Sequence, residues 1–302
     1  MADIAGILPK LYHSKVVLIA FIICLTGLFI KMALFPFHTW LPNAYTYSPS
    51  ASITIIAPLT TKVMIYVMIR ILLYVFTPQF TFASETLSSA FVWLAVVGIV
   101  TASILALAET RLKRFLTYII IAEVGYMVGG VWLGNRAGIT GAILHIINDA
   151  AMTLCVFLAA GNILYRLKGD TFDDLKGLFH KMPFSMAGFV VAAMSIIGVP
   201  PTCGFFSKWY LISGGIAARH YGFVMALLFS SLINVVLFFR VIELSFFHTD
   251  GHHDTPEETL NEAPLSMLIP LMVVAAGLIV LGIYTESIVS KIIHFAIPTG
   301  IA

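Results

Sequence analysis

Residues Phe184–Gly215 read FSMAGFVVAAMSIIGVPPTCGFFSKWYLISGG. Lys208 is the one charged side chain in the run, and Gly198-Val199-Pro200-Pro201-Thr202-Cys203-Gly204 stands at its centre. A bilayer-crossing helix needs about 20 mostly apolar residues, so the run is more than long enough. Two successive prolines remove two backbone donors, and the glycines on either side tolerate an irregular turn. The stretch is expected to be one span made of two half-helices. Irregular backbone survives at membrane depth only where protein or trapped water pairs its polar groups, so a broken helix points to a transport path. A plain proline kink is the other reading.

The whole chain fits this setting. Of 302 residues, 60% are hydrophobic and 11% charged, with a mean hydropathy of +0.98. Soluble domains carry roughly 25% charge, so that class is excluded, and so is disorder. A net charge of +2 gives no reason to expect nucleic acid. Cys24, Cys155 and Cys203 lie singly in apolar runs, which argues against a disulfide framework or zinc site.

The expected fold is an all-α integral membrane protein of about eight spans. They are Val16–Leu34, Ser52–Phe76, Ser88–Leu107, Phe115–Leu133, Gly138–Tyr165, Phe184–Gly215, Tyr221–Phe247 and Leu265–Tyr284. No strict polar alternation supports a barrel. The first span is not followed by a small-residue cleavage site, so it is not read as a signal peptide. A second break is expected after Lys31, where Pro36, Pro42 and Pro49 follow in succession. Arg111, Lys113, Arg114, Arg166, Lys168, Lys176 and Lys181 fall on one side of the membrane, against Lys10, Lys15, Arg136, Arg219 and Lys291 on the other. This bias places the N-terminus outside the cytoplasm.

Lys31, Lys62, Glu123, His145, Asp149 and Lys208 fall inside spans. Each charge at mid-membrane costs roughly 2.5–3.5 kcal/mol on insertion scales. Arg70, Arg240 and Glu243 lie nearer helix ends and can snorkel to the interface. Lysines, a histidine and carboxylates spread over separate spans are the parts of a proton relay, since a buried lysine can exchange its proton and an arginine cannot. Structural ion pairs, such as Lys62 with Asp149, are the alternative. His248, Asp250, His252, His253 and Asp254 crowd one loop, but their spacing fits no metal site. Pro256–Glu262 reads as a polar connector. There is no phosphate loop, iron–sulfur cysteine cluster or haem attachment motif, so no cofactor is expected.

Four motifs then carry a resemblance. Lys31-Met32-Ala33-Leu34-Phe35-Pro36-Phe37-His38-Thr39-Trp40-Leu41-Pro42 resembles the signature of the antiporter-like membrane subunits. That family is shared by respiratory complex I, membrane-bound hydrogenases and Mrp multisubunit cation/proton antiporters. Thr61–Arg70, with Lys62, is similar to the family's next helix. Arg111-Leu112-Lys113-Arg114 with Glu123-Val124-Gly125-Tyr126 resembles the element after it, and Ser195–Lys208 the second broken helix. Glu262–Met267 looks most like the D-type Mrp subunit.

The resemblance implies roles. Lys31 would sit at the first helix break, Lys62 would bridge, His145 would lie on the central axis, and Lys208 would be the terminal lysine, with Pro36, Pro200 and Pro201 marking the breaks. Where many members read His-x-x-x-His-x-x-x-Lys, this chain reads His145-x-x-x-Asp149-x-x-x-Thr153. The family fold has about fourteen helices built on two inverted repeats. The chain corresponds to its C-terminal part, starting at what would be the seventh helix. The expected division is 1–85, the tail of the first repeat; 86–250, the second five-helix repeat; and 251–302, a polar loop and final helix. The family's early glutamate partner of Lys31 is absent from this sequence.

The expected function is a proton-translocating subunit of an Mrp-type monovalent cation/proton antiporter, rather than a stand-alone enzyme. A membrane-arm subunit of a redox-driven pump and a structural scaffold are the alternatives. Expected partners are other membrane subunits, including one supplying the first helices, together with protons, Na+ or K+ and lipid. A prokaryotic inner membrane is the expected location.

Overall fold

The computed structural model describes residues 14–167, 169–247, 262–298 and 301. Among them the structure is helix and turn, with one antiparallel bridge between Arg111 and Thr171. Helix α1 (Lys15–Lys31) ends at a turn over Met32–Thr39. There Ala33 takes a left-handed φ of 58°, and the Trp40 indole donates to the Ile30 carbonyl at 3.0 Å, sharing that acceptor with the Ala33 N–H at 3.2 Å. Helix α2 (Trp40–Tyr47) continues from the turn.

The second expected span is itself interrupted. It consists of α3 (Ser50–Ile56) and α4 (Thr60–Arg70), extended by a π-helical turn at Ile71–Val75. Pro58 lies in the junction and has no N–H to carry the helical ladder across it. Three continuous helices follow: α5 (Glu85–Ala108), α6 (Leu112–Trp132) and α7 (Arg136–Arg166). The sixth span is two half-helices, α8 (Pro183–Ile197) and α9 (Cys203–Ala217). Helices α10 (Tyr221–Phe247) and α11 (Leu265–Ile283) complete the bundle.

Among the described residues, six helical stretches are long and apolar enough to cross a membrane: Ser50–Val75, α5, α6, α7, α10 and α11. The other two expected spans differ from continuous helices for one reason. In each the apolar run persists, but the backbone hydrogen bonding stops at a proline-bearing turn, leaving α1 with 17 residues and α8 and α9 with 15 each.

Helix α6 is the hub, with every residue from Phe115 to Trp132 buried. Polar contacts define two ends of the bundle. At one, Leu112 N–H donates to the Asp170 carbonyl at 2.8 Å and Phe172 N–H to that of Thr110 at 2.9 Å. Arg111 faces the Asp170 carboxylate there at 3.5 Å. At the other, Arg136 donates to the His294 carbonyl at 3.2 Å. The loop histidines and aspartates from His248 to Asp254 lie outside the described residues, as does the polar connector apart from Glu262. Glu262 does more than connect. Its carboxylate accepts from the Phe184 N–H (2.7 Å), the Ser185 N–H (3.1 Å) and the Ser185 hydroxyl (2.8 Å). It thereby caps the first turn of α8 from a distant part of the chain.

Candidate functional site

Lys62 lies in the first turn of α4, where the helix dipole opposes a cation. The opposing charge comes from α7. Lys62 Nζ stands 3.1 Å from Asp149 Oδ2, with the two side chains 3% and 0% exposed. The ammonium also donates to Thr153 Oγ1 at 3.0 Å, and Thr153 donates to Asp149 Oδ1 at 2.9 Å. Asp149 and Thr153 share a helix face at i, i+4, so the three groups close a triangle. A lysine at position 153 would set two ammonium groups against each other here. Threonine instead serves as the link between them.

Glu123 on α6 is the next member. Its carboxyl lies within hydrogen-bonding range of that of Asp149, while its Oε1 is buried without a hydrogen-bond partner. One turn before Asp149 on α7, the buried His145 places Nδ1 2.8 Å from Ser207 Oγ, and its Nε2 is unpaired. Asn148 Nδ2 donates to the Cys203 carbonyl at 2.8 Å, fastening α7 to the start of α9.

Lys208 closes the file at the second break. Gly198 ends α8 with φ +95°, a left-handed conformation that favours glycine, so the last carbonyls of α8 lose their helical donors. Lys208 supplies them, donating to Ile196 O at 2.6 Å and Ile197 O at 3.3 Å. A cation is favoured at this negative end of the helix dipole. Gly204 makes the approach of the two halves feasible, because a Cβ there would lie 1.9 Å from the Ser195 carbonyl oxygen.

The structure therefore brings together five of the six candidate relay residues: Lys62, Asp149, Glu123, His145 and Lys208. Lys31 is not among them; it is the exposed last residue of α1. Pro36 lies in the first break and Pro200 and Pro201 in the second. Sequence reading missed Ser207 and Asn148 as members of the site. Their one signal was polarity: Ser207 directly precedes Lys208, and Asn148 lies three residues after His145.

A model of the family "NADH:quinone oxidoreductase/Mrp antiporter, TM" matches residues 1–234. The chain belongs to this family. It is 41% identical to NADH-quinone oxidoreductase subunit N of Desulforudis audaxviator, over 99% of this chain and 61% of that protein. It is 31% identical to the D-type subunit of the Na(+)/H(+) antiporter of Alkalihalophilus pseudofirmus, over 95% of this chain and 57% of that one. The fold is similar to a chain of the Mrp complex from Dietzia sp. DQ12-45-1b, with a TM-score of 0.82 at 21% identity, covering 95% of this chain and 62% of the other. The chain thus spans about three-fifths of the length of these relatives. Membership of the antiporter-like family holds as expected, and the all-helical membrane architecture with it. The D-type likeness of Glu262–Met267 does not extend to overall identity, which is higher with the quinone oxidoreductase relative.

Proposed function

We propose that the chain is a proton-translocating membrane subunit of a multisubunit complex, in which Lys62, Asp149, Glu123, His145 and Lys208 pass protons along the membrane plane. The observation that carries this reading is the buried Lys62–Asp149 contact at 3.1 Å, from which the remaining groups continue towards Lys208. Two unit charges about 4 Å apart interact by about 4 kcal/mol at an effective dielectric constant of 20. Loss of a proton from Lys62 therefore alters the proton affinity of its neighbours by up to about a thousandfold. Each transfer prepares the next. The unpaired Glu123 Oε1 and His145 Nε2 are the atoms available to accept or hand on a proton between the charged groups.

For the energy source we favour a redox-driven complex, on the strength of the 41% identity to a quinone oxidoreductase subunit. Cation/proton antiport of the Mrp type is the second reading, supported by the match to the Na(+)/H(+) antiporter protein. Other membrane subunits are the proposed partners, one of them covering the flank where Lys31 is exposed. A prokaryotic inner membrane is the proposed location, in keeping with the bacterial relatives. The test is proton uptake by vesicles containing the assembled complex, driven by NADH or by a Na+ gradient. Lys62→Ala and Lys208→Ala are each expected to reduce uptake at least tenfold. Wild-type uptake in both variants, with assembly lost only on deletion of the chain, would establish a scaffold instead.

A further inference from the structure

Three helices bring hydroxyl groups together beside Lys208. Lys208 Nζ donates to Ser231 Oγ on α10 at 3.0 Å and lies 5.3 Å from the centre of the Tyr126 ring. Ser231 is in turn within hydrogen-bonding range of the Tyr126 hydroxyl. Tyr126 on α6 donates to Ser230 Oγ at 2.6 Å, and Ser230 is 2.7 Å from Ser103 Oγ on α5. Ser103 also reaches the Ile99 carbonyl at 2.8 Å. Tyr126, Ser230 and Ser103 are all buried.

A hydroxyl has one proton to donate and lone pairs to accept with. The groups therefore form a single-file chain: Lys208, Ser231, Tyr126, Ser230, Ser103 and the Ile99 carbonyl. Written from the ammonium outward, every hydroxyl turns its oxygen towards the positive charge and its proton away. The far end is a peptide carbonyl, which holds no proton, so the chain is not an exit. It has a second setting. The Ser103 proton can leave Ile99 for Ser230, which lies equally close, and each hydroxyl can then point back towards a neutral amine.

We propose that Tyr126, Ser230 and Ser103 are positioning residues for Lys208, forming a reversible hydroxyl arm whose direction follows the charge on that lysine. The arm holds the ammonium against the end of α8 and gives the neutral amine a donor when its proton has gone. This rests on the relay reading of Lys208. No charged side chain belongs to the arm itself; those acting on Lys208 are Glu123 from α6 and Asp149 from α7, and Lys208 in turn acts on His145 of α7.

The experiment is the initial rate of proton uptake by vesicles carrying the whole complex, at matched subunit content. Tyr126→Phe keeps the ring and removes one link; Ser230→Ala removes another. Each is expected to slow uptake about fivefold, the rate equivalent of one buried hydrogen bond. Ser230→Thr, which restores the hydroxyl, is expected to recover most of the rate. Ser103→Ala serves as a further variant where Ser230→Ala fails to assemble. Wild-type rates in Tyr126→Phe and Ser103→Ala, with uptake abolished in Lys208→Met, would overturn the arm and leave the relay standing. Undiminished uptake in Lys208→Met would overturn the relay and the arm together.

Discussion

Lys208 on α9 donates to the carbonyl of Ile196 on α8, 2.6 Å away, across the break in the same discontinuous span. One side chain thereby ends one half-helix while growing from the other. The contact ties the charge of the lysine to the geometry of the break: an ammonium holds the two halves together by a charge-assisted bond, and a neutral amine holds them less tightly.

Lys208→Arg separates these two duties. Arginine keeps a permanent cation for the α8 carbonyls but cannot give up its proton. Assembly is expected to remain near normal while proton uptake falls more than tenfold. Lys208→Met is expected to lose both, with the freed carbonyls costing about 1–3 kcal/mol of stability. Thermal unfolding in detergent alongside vesicle uptake distinguishes the pair.

Removing one partner of the Lys62–Asp149 pair leaves a buried charge without compensation. Asp149→Asn or Lys62→Met alone is expected to destabilise by about 3–5 kcal/mol. The double variant is expected to cost no more than either single one, a coupling of about 3–5 kcal/mol in a double-mutant cycle. Additive losses measured by denaturation would show that the 3.1 Å contact contributes no net attraction.

Glu262 caps a helix to which it is not adjacent in sequence. Glu262→Ala is expected to cost about 1–2 kcal/mol, within the range of lost helix caps, and Glu262→Gln less, since its amide oxygen still accepts. Arg166 donates to the Glu262 carbonyl at 2.9 Å through Nε, so Arg166→Ala is expected to weaken the same cap. Hydrogen exchange at the Phe184 and Ser185 amides reports the loss directly.

The Asp174 carboxylate, at one end of the bundle, accepts from the Thr171 hydroxyl at 2.5 Å and the Thr171 N–H at 2.9 Å. These bonds hold its pKa below the ordinary 3.8, the hydroxyl bond being the larger cause. A carboxyl whose folded value is depressed contributes stability above its unfolded pKa and loses it as the pH falls through the folded value. Asp174→Asn is therefore expected to increase amide exchange at Leu112 and Phe172 at neutral pH. The difference from wild type should disappear as the pH is taken below the depressed folded value. A difference that persists in acid would mean that the turn, not the charge, depends on Asp174.

Hydropathy located nearly all the spans because it measures how much apolar chain is available. It says nothing of whether the backbone ladder runs unbroken. The pair Pro200–Pro201 announced its break, whereas Pro58 inside a run of apolar residues did not, and the split between α3 and α4 emerged only in three dimensions. The intramembrane charges were legible one by one, since each is costly where it stands. Their pairing was less so: Thr153 reads in sequence as a missing lysine, and only the 3.0 Å contact with Lys62 gives it a role. Glu262 gave no local signal, because the amides it caps lie far away in the chain. Lys31 reads as an intramembrane lysine, yet ends α1 on an exposed face.

Helix α6 is buried from Phe115 to Trp132 and is the least apolar of the six crossing stretches among the described residues, whereas α11 is among the most apolar and is largely exposed. Apolar content thus rises towards lipid and falls towards the centre, the reverse of a soluble protein. This gradient bears on biogenesis. Alone in hydrocarbon, α6 would present Glu123 to acyl chains, and its residence there depends on α5 and α7 closing around it. The element that anchors the finished bundle is thus poorly suited to enter the membrane first, and its insertion is coupled to that of its neighbours on the ribosome's schedule.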